Sequence, residues 1–503
     1  AMAPARLQFD MTLQPAGAPA RRRDPDAPLR MLLLADLGGD RSVPLAARRP
    51  LKVDIDDFDT VFARIAPRLV LTLDGQAPAL SFGSLDDLHP DRLFDHLPAF
   101  DALRRLREQA LDPAQHALAA AALGLAPAPA AGGQGAAAPT DVAADLAADL
   151  TRLLGRPPSA PPSPPAAAGT GAVLDRWLRD LVAPHVKPDT VAPQRAVVEA
   201  IDQALTALMR RVLHDPALQA LEAAWRGVDR LVRGLDLGAE LQLWLLDASA
   251  GELRQDLQAH RADLGASALH RQLHPADGAD ARRWGLLVLD QAFGAGADDL
   301  QTLAALGALA ARAGAPLLAG ATPALAGAAG ADDLATPRQW RPEDDEALAW
   351  WQALRTAPMA PWIGLVLPRV LMRLPYGAAT DPVSRFAFEE MPADRPHQAY
   401  LWGGGAPALA LLVGHAFQQS GWAMDLADAL ELDDLPSHVF TEDGERHQQP
   451  VAEGLMPEEA GQALLERGLM PLLSYRNRPA ARLLRWQSVA QPAQALQGLQ
   501  EPG

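Results

Sequence analysis

The chain has 503 residues, a formal charge of −17 and no cysteine. That length allows roughly two to four domains, and the acidic balance argues against a surface that wraps nucleic acid, which needs clustered Lys and Arg. The missing thiols exclude disulfides, thiolate zinc sites and cysteine nucleophiles. A chain without cysteine fits a reducing cytoplasm. The N-terminus lacks the apolar core of a signal peptide, and no run of about 18 uncharged apolar residues is present to span a membrane.

Residues 1–28 read as an N-terminal tail. Within it Leu7-Gln-Phe-Asp-Met-Thr-Leu13 alternates, which places Leu7, Phe9, Met11 and Leu13 on one face of a possible inter-protomer strand. A disordered tail is the plain alternative.

Residues 29–112 form the first unit. Leu-Arg-Met-Leu-Leu-Leu-Ala-Asp (29–36) predicts a buried strand closed by Gly38-Gly39, and Pro-Leu-Lys-Val-Asp-Ile (50–55) a second. Residues 56–65 predict a short helix with Phe58, Val61, Phe62 and Ile65 on one face. Leu-Val-Leu-Thr-Leu (69–73) reads as another strand. Pro90 and Pro98 each open a helical stretch, where a missing N–H leaves nothing unpaired.

Residues 113–170 collapse to Ala, Pro and Gly and read as a linker with a short helix inside at 141–154. The second unit, residues 171–503, opens with apolar positions Val197, Ile201, Leu205, Leu208 and Val212 at helical spacing. Asp215-Pro216 restarts a helix striped by Leu218, Leu221, Trp225 and Val228. Glu222 and Arg226 are an i,i+4 pair on its flank, worth only ~0.3 kcal/mol there. Strands at 241–246, 284–290 and 316–320 then alternate with helices at 252–260 and 300–313. Apolar strands alternating with helices predict a mainly parallel sheet covered on both faces. The fold class is therefore α/β, an α+β first unit followed by an αβα second unit.

Chemistry is harder to find. Asp54-Ile-Asp-Asp-Phe-Asp59 suggests a calcium loop, but positions five, six and twelve are Phe58, Asp59 and Ile65 where a ligand, Gly and Glu are required. An acid-rich first helical turn explains it. Asp36-Leu-Gly-Gly-Asp40 and Leu401-Trp-Gly-Gly-Gly405 lack the Lys-Ser/Thr of a phosphate loop, and the second reads as a tight packing turn. No HExxH or G-x-S-x-G occurs; His89, His214 and His438 suit capping or surface roles, and Glu389-Glu390 reads as a surface pair.

Several runs resemble the small and large subunits of the bacterial type VI secretion contractile sheath (TssB-like and TssC-like). The small-subunit resemblance rests on residues 29–39, on Arg-Arg-Pro-Leu-Lys-Val-Asp-Ile-Asp-Asp-Phe-Asp (48–59) and on Phe-Gly-Ser-Leu-Asp-Asp-Leu-His-Pro-Asp (82–91). The large-subunit resemblance rests on His-Asp-Pro-Ala-Leu-Gln-Ala-Leu-Glu-Ala-Ala-Trp-Arg-Gly (214–227), Trp-Gly-Leu-Leu-Val-Leu-Asp (284–290), Leu-Pro-Arg-Val-Leu-Met-Arg-Leu-Pro-Tyr-Gly (367–377), Phe-Ala-Phe-Glu-Glu (386–390) and Tyr-Leu-Trp-Gly (400–403). The resemblance implies a non-enzymatic, cofactor-free cytoplasmic protein, in which a small/large pair stacks into a tube around an inner tube. The implied partners are other sheath subunits or itself, the inner-tube protein, baseplate components and a recycling AAA+ ATPase. No nucleic acid and no membrane insertion are implied.

Two departures shape the expectation. The two subunits are joined in one chain, which fixes their ratio and raises the effective concentration of the pair. The large-subunit part also stops before the family's usual closing segment, which makes a sheath-like accessory (a cap, adaptor or baseplate-proximal piece) the alternative. A third reading, an enzyme on the αβα scaffold, would use the carboxyl ends of the strands near Asp247 and Asp290. By resemblance the ATPase-contact helix falls at Val173, Trp177 and Leu181, which share one face; a packed core helix explains the same spacing.

Overall fold

The computed structural model describes residues 26–73, 78–123, 194–274, 283–342 and 344–499. The expectations for Leu7, Phe9, Met11 and Leu13, for residues 141–154, and for Val173, Trp177 and Leu181 lie outside the described residues.

The N-terminal segment contains β1 (Leu29–Ala35), β2 (Leu51–Val53), α1 (Phe58–Ile65), the hairpin of β3 (Arg68–Val70) and β4 (Ala79–Ser81), α2 (Pro90–His96), α3 (Asp101–Leu111) and α4 (His116–Ala122). The C-terminal segment begins with α5 (Gln194–Leu213), α6 (Pro216–Gly234), β5 (Leu241–Asp247), α7 (Ala250–Ala259) and α8 (Ala268–Leu273). It continues through β6 (Leu286–Phe293), α9 (Ala297–Ala313), β7 (Leu317–Ala321), α10 (Asp345–Arg355), β8 (Ile363–Leu367), β9 (Val370–Leu371) and β10 (Trp402–Gly403). It closes with α11 (Gly405–Ser420), β11 (Glu431–Leu432), the hairpin of β12 (Val439–Glu442) and β13 (Glu445–Gln448), α12 (Glu458–Glu466), β14 (Met470–Ser474) and β15 (Ala481–Leu483).

Among the described residues the frame is a nine-stranded sheet in the order β11-β15-β14-β8-β7-β6-β1-β5-β2. The six strands from β14 to β5 run parallel, and antiparallel strands close both edges. This is the mainly parallel sheet that alternating strands and helices predict. Its order holds a finding that local pattern does not contain: β1, from the N-terminal segment, sits between β5 and β6 from the C-terminal segment.

Composition explains why β1 is accepted there. A strand in the middle of a parallel sheet is covered on both faces, so it must be apolar on both. Met31 and Leu33 face one core, and Leu32 and Leu34 the other; each is at most 2 % exposed. The first core is closed by α1 to α6 and α11, the second by α7 to α10 and α12. The edge strands are short, which limits open pairing to other chains.

Helix starts follow their residues. Asp215 caps α6, accepting from the N–H groups of Ala217 (2.9 Å) and Leu218 (3.3 Å), with Pro216 in the first turn. Such a cap is worth about 1 kcal/mol. Ser249 and Glu252 form a reciprocal capping box at α7. Helix α11 is apolar nearly all round and is buried accordingly. The helix expected over 56–65 begins only at Phe58, because Asp54 and Asp57 spend their carboxylates on the turn: Asp57 accepts from the Asp54 N–H at 2.8 Å. The acids thus sit mostly ahead of the helix, with Asp59 alone in its first turn, and not in the acid-rich first helical turn that the sequence predicts.

Candidate functional site: the seam between the two segments

Where β1 ends, Gly38 turns the chain at φ +73°, a conformation that suits glycine. The turn is covered by α6, whose Trp225 donates its indole N–H to the Leu37 carbonyl at 3.1 Å. Phe58 and Phe62 of α1 pack on the same indole, with ring centroids 6.0 and 4.2 Å away. One buried tryptophan thus holds the strand, the turn and the first helix of the N-terminal segment.

The carboxyl ends of β1 and β5 meet in an ion cluster. Asp247 accepts from the Leu37 N–H (2.9 Å) and from Arg41 (2.9 and 3.0 Å). Arg48 donates to the Asp247 carbonyl and to Glu252, both at 2.9 Å, while Ser249 donates its N–H to Glu252 at 3.0 Å. Burial alone would raise the Glu252 carboxyl, but Arg48, Ser249 and Arg41 outweigh it and hold it at about 2. Asp247, one of the two positions an enzyme reading would use, is therefore a bracket between the segments. Asp290, the other, is packed against the Gly404 backbone, and burial pushes its carboxyl up to about 6. A Cβ at Gly404 would collide with the Asp290 Oδ1, so the glycine run 403–405 is a close-packing turn, as expected.

The second contact joins α2 and α3 to the C-terminal segment. Asp91 accepts from Ser384 (N–H 3.0 Å, hydroxyl 2.7 Å) and from the Arg385 N–H at 3.1 Å. Phe94 packs on Phe386 at 5.2 Å, and Arg107 bonds Asp202 of α5 at 2.6 Å. His89 caps α2, its Nδ1 accepting from the Asp91 N–H at 3.1 Å.

Beneath this contact lies a network that sequence reasoning missed. Glu222 accepts from Arg226 and from Arg373, each at 2.7 Å. Arg373 also forks onto Glu390 at 2.6 and 2.9 Å, and Glu390 accepts from the Tyr376 N–H at 2.8 Å. The Arg373 guanidinium lies 4.1 Å over the Tyr376 ring, Arg226 donates to the Tyr376 hydroxyl at 3.1 Å, and His214 stands 3.6 Å from Glu390. Burial opposes ionisation of both glutamates, yet the guanidiniums win: Glu222 is lowered and Glu390 is held at about 2.

Two expectations are corrected here. Glu222–Arg226 is not a solvated flank pair: Glu222 is 0 % exposed, because Arg373 arrives from across the chain to share its carboxylate. Glu390 is not a surface acid, being 1 % exposed, whereas its neighbour Glu389 is exposed. The signal that existed was Arg373 itself, a charge inside the apolar run Val370-Leu-Met-Arg-Leu-Pro. A cation among apolar neighbours needs a buried anion.

Among the described residues no group of three or more His, Cys, Asp and Glu side chains is placed to hold a metal ion. None of the helices there is long and apolar enough to cross a membrane.

Interleaved strands and internally neutralised charges define the class: one α/β body built from two intertwined segments. Comparison with known proteins agrees. The family model for the tail sheath N-terminal domain (VipB, EvpB) matches residues 195–490, more than half of the chain, and the chain belongs to that family. A second model, for the type VI secretion system protein VipA, matches residues 4–121. Type VI secretion system sheath protein TssC1 of Pseudomonas aeruginosa is 30 % identical over 321 residues, covering 61 % of this chain and 64 % of the relative's length. The seam described above is therefore the seam between a VipA-like and a VipB-like segment of one chain.

Proposed function

We propose that this chain is a fused small/large protomer of a type VI secretion contractile sheath, assembling with further copies or with separate sheath subunits around an inner tube. The observation that carries the reading is β1 of the VipA-like segment lying between β5 and β6 of the VipB-like segment. Neither segment completes the sheet alone, so the pair is the assembly unit. The proposed role is structural and non-enzymatic, in the cytoplasm. Its partners are sheath subunits, the inner-tube protein, baseplate components and a recycling AAA+ ATPase reached through Val173, Trp177 and Leu181. The strand of Leu7, Phe9, Met11 and Leu13 joins a neighbouring protomer. The division into a tail (1–28), a small-subunit part (29–112), a linker (113–170) and a large-subunit part (171–503) belongs to the same proposal.

Negative-stain electron microscopy of the purified chain, alone and mixed with separate sheath subunits, tests it. Tubes or rings containing the chain are expected. Monodisperse small particles under both conditions would refute it.

A further inference from the structure

We propose that His270 of α8 and His274 at its C-terminal end form a chelating pair for one divalent transition ion of the Zn²⁺, Ni²⁺ or Cu²⁺ class. The two residues stand four apart in His-Arg-Gln-Leu-His, so a helical turn brings them to the same side. That turn is closed: His274 donates its N–H to the His270 carbonyl at 2.9 Å. The rings lie against each other, with centroids 4.5 Å apart and planes tilted by 39°. Each Nε2 is shielded from solvent and has no hydrogen-bond partner. Leaving a buried polar atom unpaired is costly. Two such atoms of one kind, side by side, call for a shared partner.

The chemistry of the pair selects the class of ion. The Gly265 backbone hydrogen-bonds the His270 ring, and since Nε2 is unpaired the bond falls to Nδ1. Nδ1 then carries the proton and Nε2 presents a lone pair, which is the tautomer of a metal-bound imidazole. Burial lowers both imidazoles, His274 to about 4, so both stay in the neutral form near pH 7. Arg312 of α9 and Arg271 act on the pair against a cation, and Asp263 acts in its favour. A hard ion such as Mg²⁺ or Ca²⁺ needs a set of oxygen ligands. Among the described residues no third His, Cys, Asp or Glu is placed to join the pair. A borderline ion is held instead by the imidazole bonds themselves, with water in its other positions.

Position gives the pair a role. Helix α8 packs into the second core through Leu269 and Leu273. From the same helix Gln272, 5 % exposed, donates to the Arg48 carbonyl at 2.6 Å, and Arg48 in turn holds Glu252 at the seam. A helix of six residues is too short to persist by itself, so a clip across its last turn is felt by whatever leans on it. An ion on His270 and His274 therefore stiffens the support of Arg48 and, through it, the joint between the two segments. This holds whether or not the chain builds a tube.

The full chain, purified without a polyhistidine tag and stripped with EDTA, is titrated with ZnCl₂ by calorimetry. Saturable binding of one Zn²⁺ per chain is expected, with the thermal midpoint raised by about 2 °C or more at saturation and no response to MgCl₂. His270→Gln and His274→Gln are each expected to weaken binding at least roughly tenfold. Absence of saturable Zn²⁺ binding would overturn the proposal. So would an affinity unchanged in either variant, because others of the twelve histidines would then hold the ion. Electron paramagnetic resonance of the unaltered chain with one equivalent of Cu²⁺ needs no variant. Coupling to two imidazole nitrogens is expected, and coupling to a single one refutes chelation by the pair. Hydrogen exchange of the α8 amides should slow when Zn²⁺ is added to the unaltered chain, and exchange that does not change refutes the clip.

Discussion

Replacing Arg373 by Met tests the buried network most directly. Met roughly preserves the side chain's volume but leaves Glu222 and Glu390, which are 0 % and 1 % exposed, without their shared cation. Breaking a buried pair from one side costs about 3–5 kcal/mol, because the orphaned charge remains desolvated. By contrast, removing Arg195 from its exposed i,i+4 pair with Glu199 should cost only ~0.3 kcal/mol. Urea unfolding at pH 7.5, followed by near-UV circular dichroism, should show a midpoint loss on the order of 1 M for Arg373→Met. The pH dependence gives the sign. In the native chain Glu390 is held at about 2, below its ordinary 4.5, so its contribution, on the order of 3 kcal/mol, is present above pH 4.5 and lost as pH falls toward 2. In Arg373→Met burial is unopposed by that guanidinium and protonation is favoured, so the deficit against the native chain should narrow between pH 7.5 and 5. A deficit below about 1 kcal/mol, or one that widens on acidification over that range, would refute the reasoning.

Two further outcomes follow from the seam, and a third from the Gly404 turn. Leu33→Ala, in the middle of β1 and 1 % exposed, should cost about 2–5 kcal/mol and lower the melting temperature of both segments together, read by differential scanning calorimetry. A protease site placed within residues 124–193 should leave the two fragments co-eluting on size exclusion after cleavage, because β1 remains held between β5 and β6; separation in native buffer would contradict the shared sheet. Gly404→Ala should destabilise by roughly 1–3 kcal/mol, since its Cβ would meet the Asp290 Oδ1, and Asp290→Ala in the same chain should recover part of that loss in thermal unfolding.

Much of this architecture was legible locally. The apolar runs at 29–36, 241–246 and 284–290 read as strands, and the structure has strands at Leu29–Ala35, Leu241–Asp247 and Leu286–Phe293, each covered by side chains of the two cores. The Asp215 cap and the spacing of Leu218, Leu221, Trp225 and Val228 read as α6 because a helix start and a helix stripe are local signals. The failures share one cause. The Glu222–Arg226 pair looked solvated because i,i+4 spacing says nothing about a third partner, and Arg373 arrives from 151 residues away. Glu390 looked exposed for the same reason: its burial depends on the 373–390 segment folding under α6.

By itself, then, the sequence determined the element types, the absence of thiol chemistry and the resemblance of its two halves to sheath subunits. These are properties of composition, of period and of short runs in order. Only the tertiary structure decided that the halves are not separate bodies. Strand order and charge pairing depend on which distant segments share a core. A seven-residue apolar strand such as β1 suits the middle of any parallel sheet, and here the sheet it completes is built mainly by the other half of the chain.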